Sequence, residues 1–159
     1  MIPVLDFFQW CYDTPLGETI RESTWLFPLI EAFHLLGLAL TVGSVLIVDL
    51  RLLGAGLRKE SVAQLSAGAQ PWLIAGIVLM FATGIPLFFA ESIKCYYSLP
   101  FWVKMTSLLL LIVFTFSVRR RVTQTDVPAD RPLSGGVTAV ISLLLLFAVA
   151  WGGRWIGFS

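Results

Sequence analysis

Charge and histidine are what this chain has least of. Only 13% of its 159 residues are Asp, Glu, Lys or Arg, against 57% hydrophobic, and the mean hydropathy is +0.85. That balance excludes a soluble domain, and the length leaves no room for a second folding unit. The single histidine, His34, excludes a bis-histidine haem within one subunit. Glu31 and His34 form one Glu-x-x-His, half of a di-iron site; without a second copy and two more carboxylates that centre is unlikely within one chain. The two cysteines, Cys11 and Cys95, allow one disulfide at most. Internal repeats and low-complexity segments are absent. A cleavable signal peptide is not expected, because the first 24 residues are acidic and lack an uninterrupted apolar core.

What the chain does have is long apolar runs. Spans are expected at roughly 25–50, 71–90, 100–118 and 135–152, each near the ~20 residues that a helix needs to cross a bilayer. The expected fold is therefore all-α: a four-helix transmembrane bundle forming a single integral membrane domain over residues 1–159. Val4, Leu5, Phe8, Trp10 and Cys11, with Asp6 and Asp13 between them, predict a short N-terminal interfacial helix. Thr14-Pro15-Leu16-Gly17 then reads as a turn, Glu18 to Ser23 as a polar lead-in, and Ser23 as the cap of the first span. Pro86 is expected to kink the second span. Tyr96, Tyr97, Trp25, Trp102, Trp151 and Trp155 fit interfacial belts.

Basic residues sort by side. Arg51, Arg58, Lys59, Arg119, Arg120, Arg121 and Arg131 lie on one side, and Arg21, Lys94, Lys104 and Arg154 on the other. Seven against four places the first group in the cytoplasm and both termini outside. Asp49 and Arg51 then fall where the bilayer meets the cytoplasm, and both cysteines fall outside, where a Cys11–Cys95 disulfide is conceivable.

The first run, from Trp25 to Arg51, carries Glu31 and His34 inside it. Read at a-and-d spacing, its stripe is Ile30, His34, Gly37, Thr41, Ser44, Val48 and Arg51, while the other faces are Leu, Ile, Val and Phe. Such a stripe must face other helices, and an ionisable group on it is a functional candidate. His34 lies about 13 Å below Trp25 at the helical rise. Glu31 and Lys104 reach compatible depths, so an ion pair between them is feasible. Three roles compete for His34: an interhelical hydrogen bond, a metal ligand, or an axial ligand of haem. Met80 and Met105 are available as a second, sulfur ligand. Gly37, Thr41, Ser44, Gly76, Thr83 and Gly84 would leave room for a flat macrocycle, or serve plain helix packing.

The segments E-A-F-H-L-L-G-L-A-L-T-V-G-S at 31–44, D-L-R-L-L-G at 49–54, P-W-L at 71–73, T-G at 83–84, F-W-V-K-M at 101–105 and G-G-R-W-I-G at 152–157 resemble a family of small bacterial four-helix membrane proteins of unknown function. More remotely, the first-helix histidine and third-helix lysine resemble the J-type protoporphyrinogen oxidases and the copper-resistance protein D-like membrane proteins. That resemblance implies haem b, with His34 as axial ligand and Lys104 as a pocket residue. It departs after the histidine, where Asp49-Leu50-Arg51-Leu52 stands in place of the oxidases' Pro-Arg-Leu, so it implies the haem ahead of the porphyrinogen-oxidising activity. The expectation is a haem-b membrane protein of the bacterial inner membrane, with periplasmic termini. It would transfer electrons to a redox partner or quinone, or oxidise a small substrate. Glu31 and Lys104 would handle protons, and Arg154 and Trp155 would meet propionates. The alternatives are a structural or accessory subunit forming a homo-oligomer, and a copper site built from His34, Glu31 and a methionine. Lipid is the surrounding partner; nucleic acid is not expected.

Overall fold

A computed structural model describes residues 3–55, 60–124 and 132–156. Arg58, Lys59 and Arg131, three of the sorted basic residues, lie outside the described residues. The chain forms α1 (Pro3–Tyr12), α2 (Pro15–Glu22), α3 (Leu26–Leu52), α4 (Val62–Tyr97) and α5 (Leu99–Phe114). A π-helical turn (Thr115–Arg119), α6 (Arg120–Gln124) and α7 (Pro132–Ile156) follow. No strand occurs among the described residues. Four helical stretches are long and apolar enough to cross a membrane: Leu26–Leu52, Val62–Tyr97, Leu99–Val122 and Gly135–Ile156.

Local chemistry explains where these elements start. The N-cap of the first span is Trp25 and not Ser23 as expected; Ser23, two residues earlier, still accepts from the Leu26 amide through its Oγ at 3.1 Å. The amino-terminal segment makes two helices rather than one, because Thr14 is an N-cap with Pro15 behind it. Its Oγ1 accepts from the Gly17 amide and donates to the Cys11 carbonyl. The second span begins well before Pro71, because Ser61 and Gln64 form a capping box. Pro71 then sits inside the helix and leaves the Ala67 carbonyl without its helical donor.

The break near the far end of α4 is at Glu91 (φ −122°, ψ 23°) and not at Pro86. Arg21 explains why the break is tolerated there. Its Nη1 donates to the Ala90 carbonyl at 3.2 Å and the Phe89 carbonyl at 3.4 Å, and Nη2 to the Tyr12 carbonyl at 2.9 Å. The guanidinium also stacks 3.7 Å over the Tyr12 ring. Ser92, buried at the same level, donates to the Phe8 carbonyl at 3.0 Å. The α1–α2 pair is thereby pinned onto the bend, and Phe8 packs among Phe88, Tyr96, Phe101 and Trp102.

The spanning helices form two tight antiparallel pairs, α3 with α4 and α5 with α7, joined where α3 meets α7; α4 and α5 pack against each other little. One core cluster, Val45, Leu73, Leu111, Leu146 and Val149, draws on all four. Glycine permits the α3–α4 approach. A Cβ on Gly76 would lie 2.8 Å from the Thr41 amide nitrogen and 2.9 Å from the Gly37 carbonyl oxygen, both backbone atoms that cannot swing aside. Gly76→Ala is therefore expected to destabilise the protein by about 1–3 kcal/mol through overpacking. Gly68→Ala, at a position with open space above it, is the control and should leave stability unchanged or raised. Thermal unfolding of the two detergent-solubilised variants checks this.

Candidate functional site

The buried stripe of α3 is Gly37, Thr41, Ser44, Val45, Val48 and Asp49, so four of the seven expected stripe positions are fully buried. His34 is half-buried at its upper end, against α4. Its Nδ1 lies 2.9 Å from Thr83 Oγ1. Thr83 has one hydroxyl proton and gives it to the Leu79 carbonyl, so it can only accept from the ring. With that proton given to Leu79, Nδ1–H donates to Thr83 Oγ1, and Nε2 has no hydrogen-bond partner among the described residues. Gly84 is what lets the ring lie flat on α4: a Cβ there would stand 3.1 Å from His34 Cε1.

Lys104 enters from α5, and its charge acts on both His34 and Cys95. Its side chain runs along Gly152 and Gly153 of α7. A Cβ at Gly152 would lie 3.0 Å from Lys104 Cβ, and one at Gly153 3.6 Å from Nζ. No carboxylate of the described residues stands within ion-pair distance of that ammonium. Glu31 is exposed on α3, and the Glu31–Lys104 pair is not formed.

Other expected site residues are placed differently. Gly37 and Thr41 do not leave room for a macrocycle. The space over Gly37 is occupied by Met80, and that over Gly76 by Thr41. Met80 is buried, with its Sδ 3.8 Å from Thr41 Oγ1. Met105 is 43% exposed, on the outside of α5. Arg154 and Trp155 stand exposed at the end of α7, just past the two glycines. Cys11 and Cys95 are buried free thiols with no disulfide between them, and burial pushes the Cys11 thiol above its ordinary pKa.

A second polar centre lies at the opposite, arginine-rich end, and it was missed in the sequence. Asp49, fully buried, accepts from Arg119 Nε at 3.1 Å, while Arg119 Nη2 donates to the Val45 carbonyl at 3.1 Å. Arg119 is itself only 5% exposed. The Ser142 hydroxyl of α7 faces the carboxylate without meeting it at hydrogen-bond geometry, which leaves Asp49 Oδ2 and Ser142 Oγ unsatisfied. The π-turn turns Arg119 inward while Arg120 and Arg121 stay exposed. A lone acid at the end of an apolar run, with arginines ending another, was the available signal.

Residues 7–159 match a family of unknown function, DUF6644. The chain belongs to that family. No curated protein and no solved structure matches it. The chemistry of this DUF6644 protein must therefore be read from its own side chains. Among the described residues no three His, Cys, Asp or Glu groups converge as metal ligands. The two polar centres differ in kind. Asp49–Arg119 is paired, whereas His34 offers a free lone pair beside an unpaired ammonium.

Removing one partner of the buried pair, as in Asp49→Leu, should cost about 3–5 kcal/mol. Asp49→Leu with Arg119→Leu together should recover most of that loss. A double-mutant cycle on thermal unfolding measures the coupling, and additive losses would contradict the pairing.

Proposed function

We propose that this protein is a membrane haem-b protein, with His34 as the axial ligand, acting in electron transfer or in oxidation of a small substrate. The observation that carries the reading is the 2.9 Å contact between His34 Nδ1 and Thr83 Oγ1. An imidazole whose Nδ1–H is held by Thr83, itself locked to Leu79, presents Nε2 as an oriented donor. Ligating histidines are held in this way, with the second nitrogen donating to a fixed acceptor. The free ammonium of Lys104, at the same end of the bundle, supports the reading as a partner for a propionate.

The donor set fits haem, but the cradle is not the one first expected. The α3–α4 face is closed by Met80 and Thr41, so a macrocycle would have to reach Nε2 from outside that face. Bound haem would supply one-electron chemistry. The chain's own part is to fix the ring through Thr83, to admit it against Gly84, and to hold Lys104 for an anionic group. On this reading both termini lie on the periplasmic side of a bacterial inner membrane and the arginine-rich end faces the cytoplasm. The remote resemblance at His34 and Lys104 agrees with it.

Protein produced with adequate haem supply should show a Soret band that His34→Ala abolishes. Thr83→Val should keep the band while weakening haem retention by about 10–100-fold, the usual effect of losing a histidine's outer partner. A colourless wild type, or a band that survives His34→Ala, overturns the proposal.

A further inference from the structure

At the arginine-rich end, far from His34, a cavity of about 210 Å³ opens between α3, α4 and the π-turn. It is smaller than the roughly 300–1,000 Å³ of drug-sized pockets, so its occupant is small or is one end of a larger molecule. Its polar lining is Ser44, Ser66, Gln70, Thr115, Arg119 and Arg120. Thr115 is only 7% exposed, yet its hydroxyl makes no hydrogen bond within the described protein, unlike Thr41, Ser44 and Thr83 on neighbouring helices. The Ser66 hydroxyl is likewise uncommitted. Arg119 spends Nε on Asp49 and Nη2 on Val45, and Nη1 remains for the cavity. These groups are donors. Ser44 is the exception: its proton goes to the Leu40 carbonyl at 2.7 Å, and it offers lone pairs.

We propose that this cavity binds a phosphate group that also carries a hydroxyl. Guanidinium and hydroxyl donors meet the anionic oxygens, and Ser44 accepts from the hydroxyl. The chemistry is shared by hydrogen phosphate and by the phosphoglycerol headgroup of an anionic lipid. An apolar small molecule would leave the Thr115 hydroxyl and Arg119 Nη1 unpaired. The site does not depend on the haem reading.

The test uses the full-length protein in phosphatidylcholine nanodiscs, titrated calorimetrically with inorganic phosphate and with chloride as the control. In parallel, nanodiscs containing phosphatidylglycerol are analysed by native mass spectrometry for retained lipid. Thr115→Val keeps the branched shape and removes the hydroxyl, and should weaken binding about tenfold, the worth of one hydrogen bond to a charged group. Ser66→Ala, at a less buried position, is a second variant with the same expected direction should Thr115→Val fail to fold. Phosphate binding weakened by either variant upholds the site with a soluble ligand. Retention of phosphatidylglycerol weakened by either upholds it with a lipid. Binding of neither probe, or binding that both variants leave unchanged, overturns it.

Discussion

The close approach of α3 and α4 at Gly37 and Gly76 is the constraint on which the rest of the bundle depends. In a bilayer, lipid tails are as apolar as leucine, so helices associate by surface fit and by polar contacts instead of by exclusion from water. Two glycines facing each other bring backbones together, and Met80 and Thr41 close the gaps on either side. This contact fixes the register: Gly37 at Met80, Thr41 at Gly76, and therefore His34 at Thr83 and Gly84. Rotating α3 by one residue, about 100°, would break the contact and carry the imidazole off its acceptor. The same register carries Val45 and Asp49 to the level of Arg119, so both polar centres follow from one steric fit.

Hydrocarbon imposes the second rule, that polar groups be satisfied from within. Thr41, Ser44 and Thr83 return their protons to carbonyls one turn back, at Gly37, Leu40 and Leu79. That economy turns each hydroxyl into an acceptor, which is what makes Thr83 a suitable holder for His34. The bend at Glu91 is satisfied from outside its own helix, by Arg21. The small α1–α2 pair thus serves as a clamp on α4 as well as an interfacial element.

Much of this was legible in the sequence. Four apolar runs and the stripe from Gly37 to Val48 follow from spacing and composition, and they stand. What was not legible depends on rotation and on contacts across the bundle. Helical spacing groups Glu31 with His34 but does not say that the interface edge runs between them, leaving Glu31 exposed. It makes Met80 and Met105 equivalent candidates, although one is buried against Thr41 and the other faces outward. Arg119 was read as one of three like arginines. The π-turn adds a residue to one turn, and that local change in phase separates the buried arginine from its exposed neighbours. The start of α4 is hidden for a simpler reason: Pro71 marks a helix start in sequence, although the Ser61–Gln64 box begins the helix ahead of it.

The two cations inside the bundle show how pairing divides structure from chemistry. Arg119 has a carboxylate and a carbonyl, and its main work is to tie α3 to the chain beyond α5. Lys104 has neither among the described residues, yet it is not simply a side chain reaching for the surface. It lies along Gly152 and Gly153, two residues that weaken a helix by about 1 kcal/mol each relative to alanine and whose bare faces are what the lysine occupies. A lysine free to snorkel needs no such groove. Holding an ammonium against a neighbouring helix, within electrostatic reach of a fixed imidazole, makes sense where a ligand brings the missing negative charge. That requirement favours a group with both a Lewis-acidic centre for Nε2 and an anionic arm for Nζ, and it sets this end of the bundle apart from the other, where the buried cation has its own carboxylate.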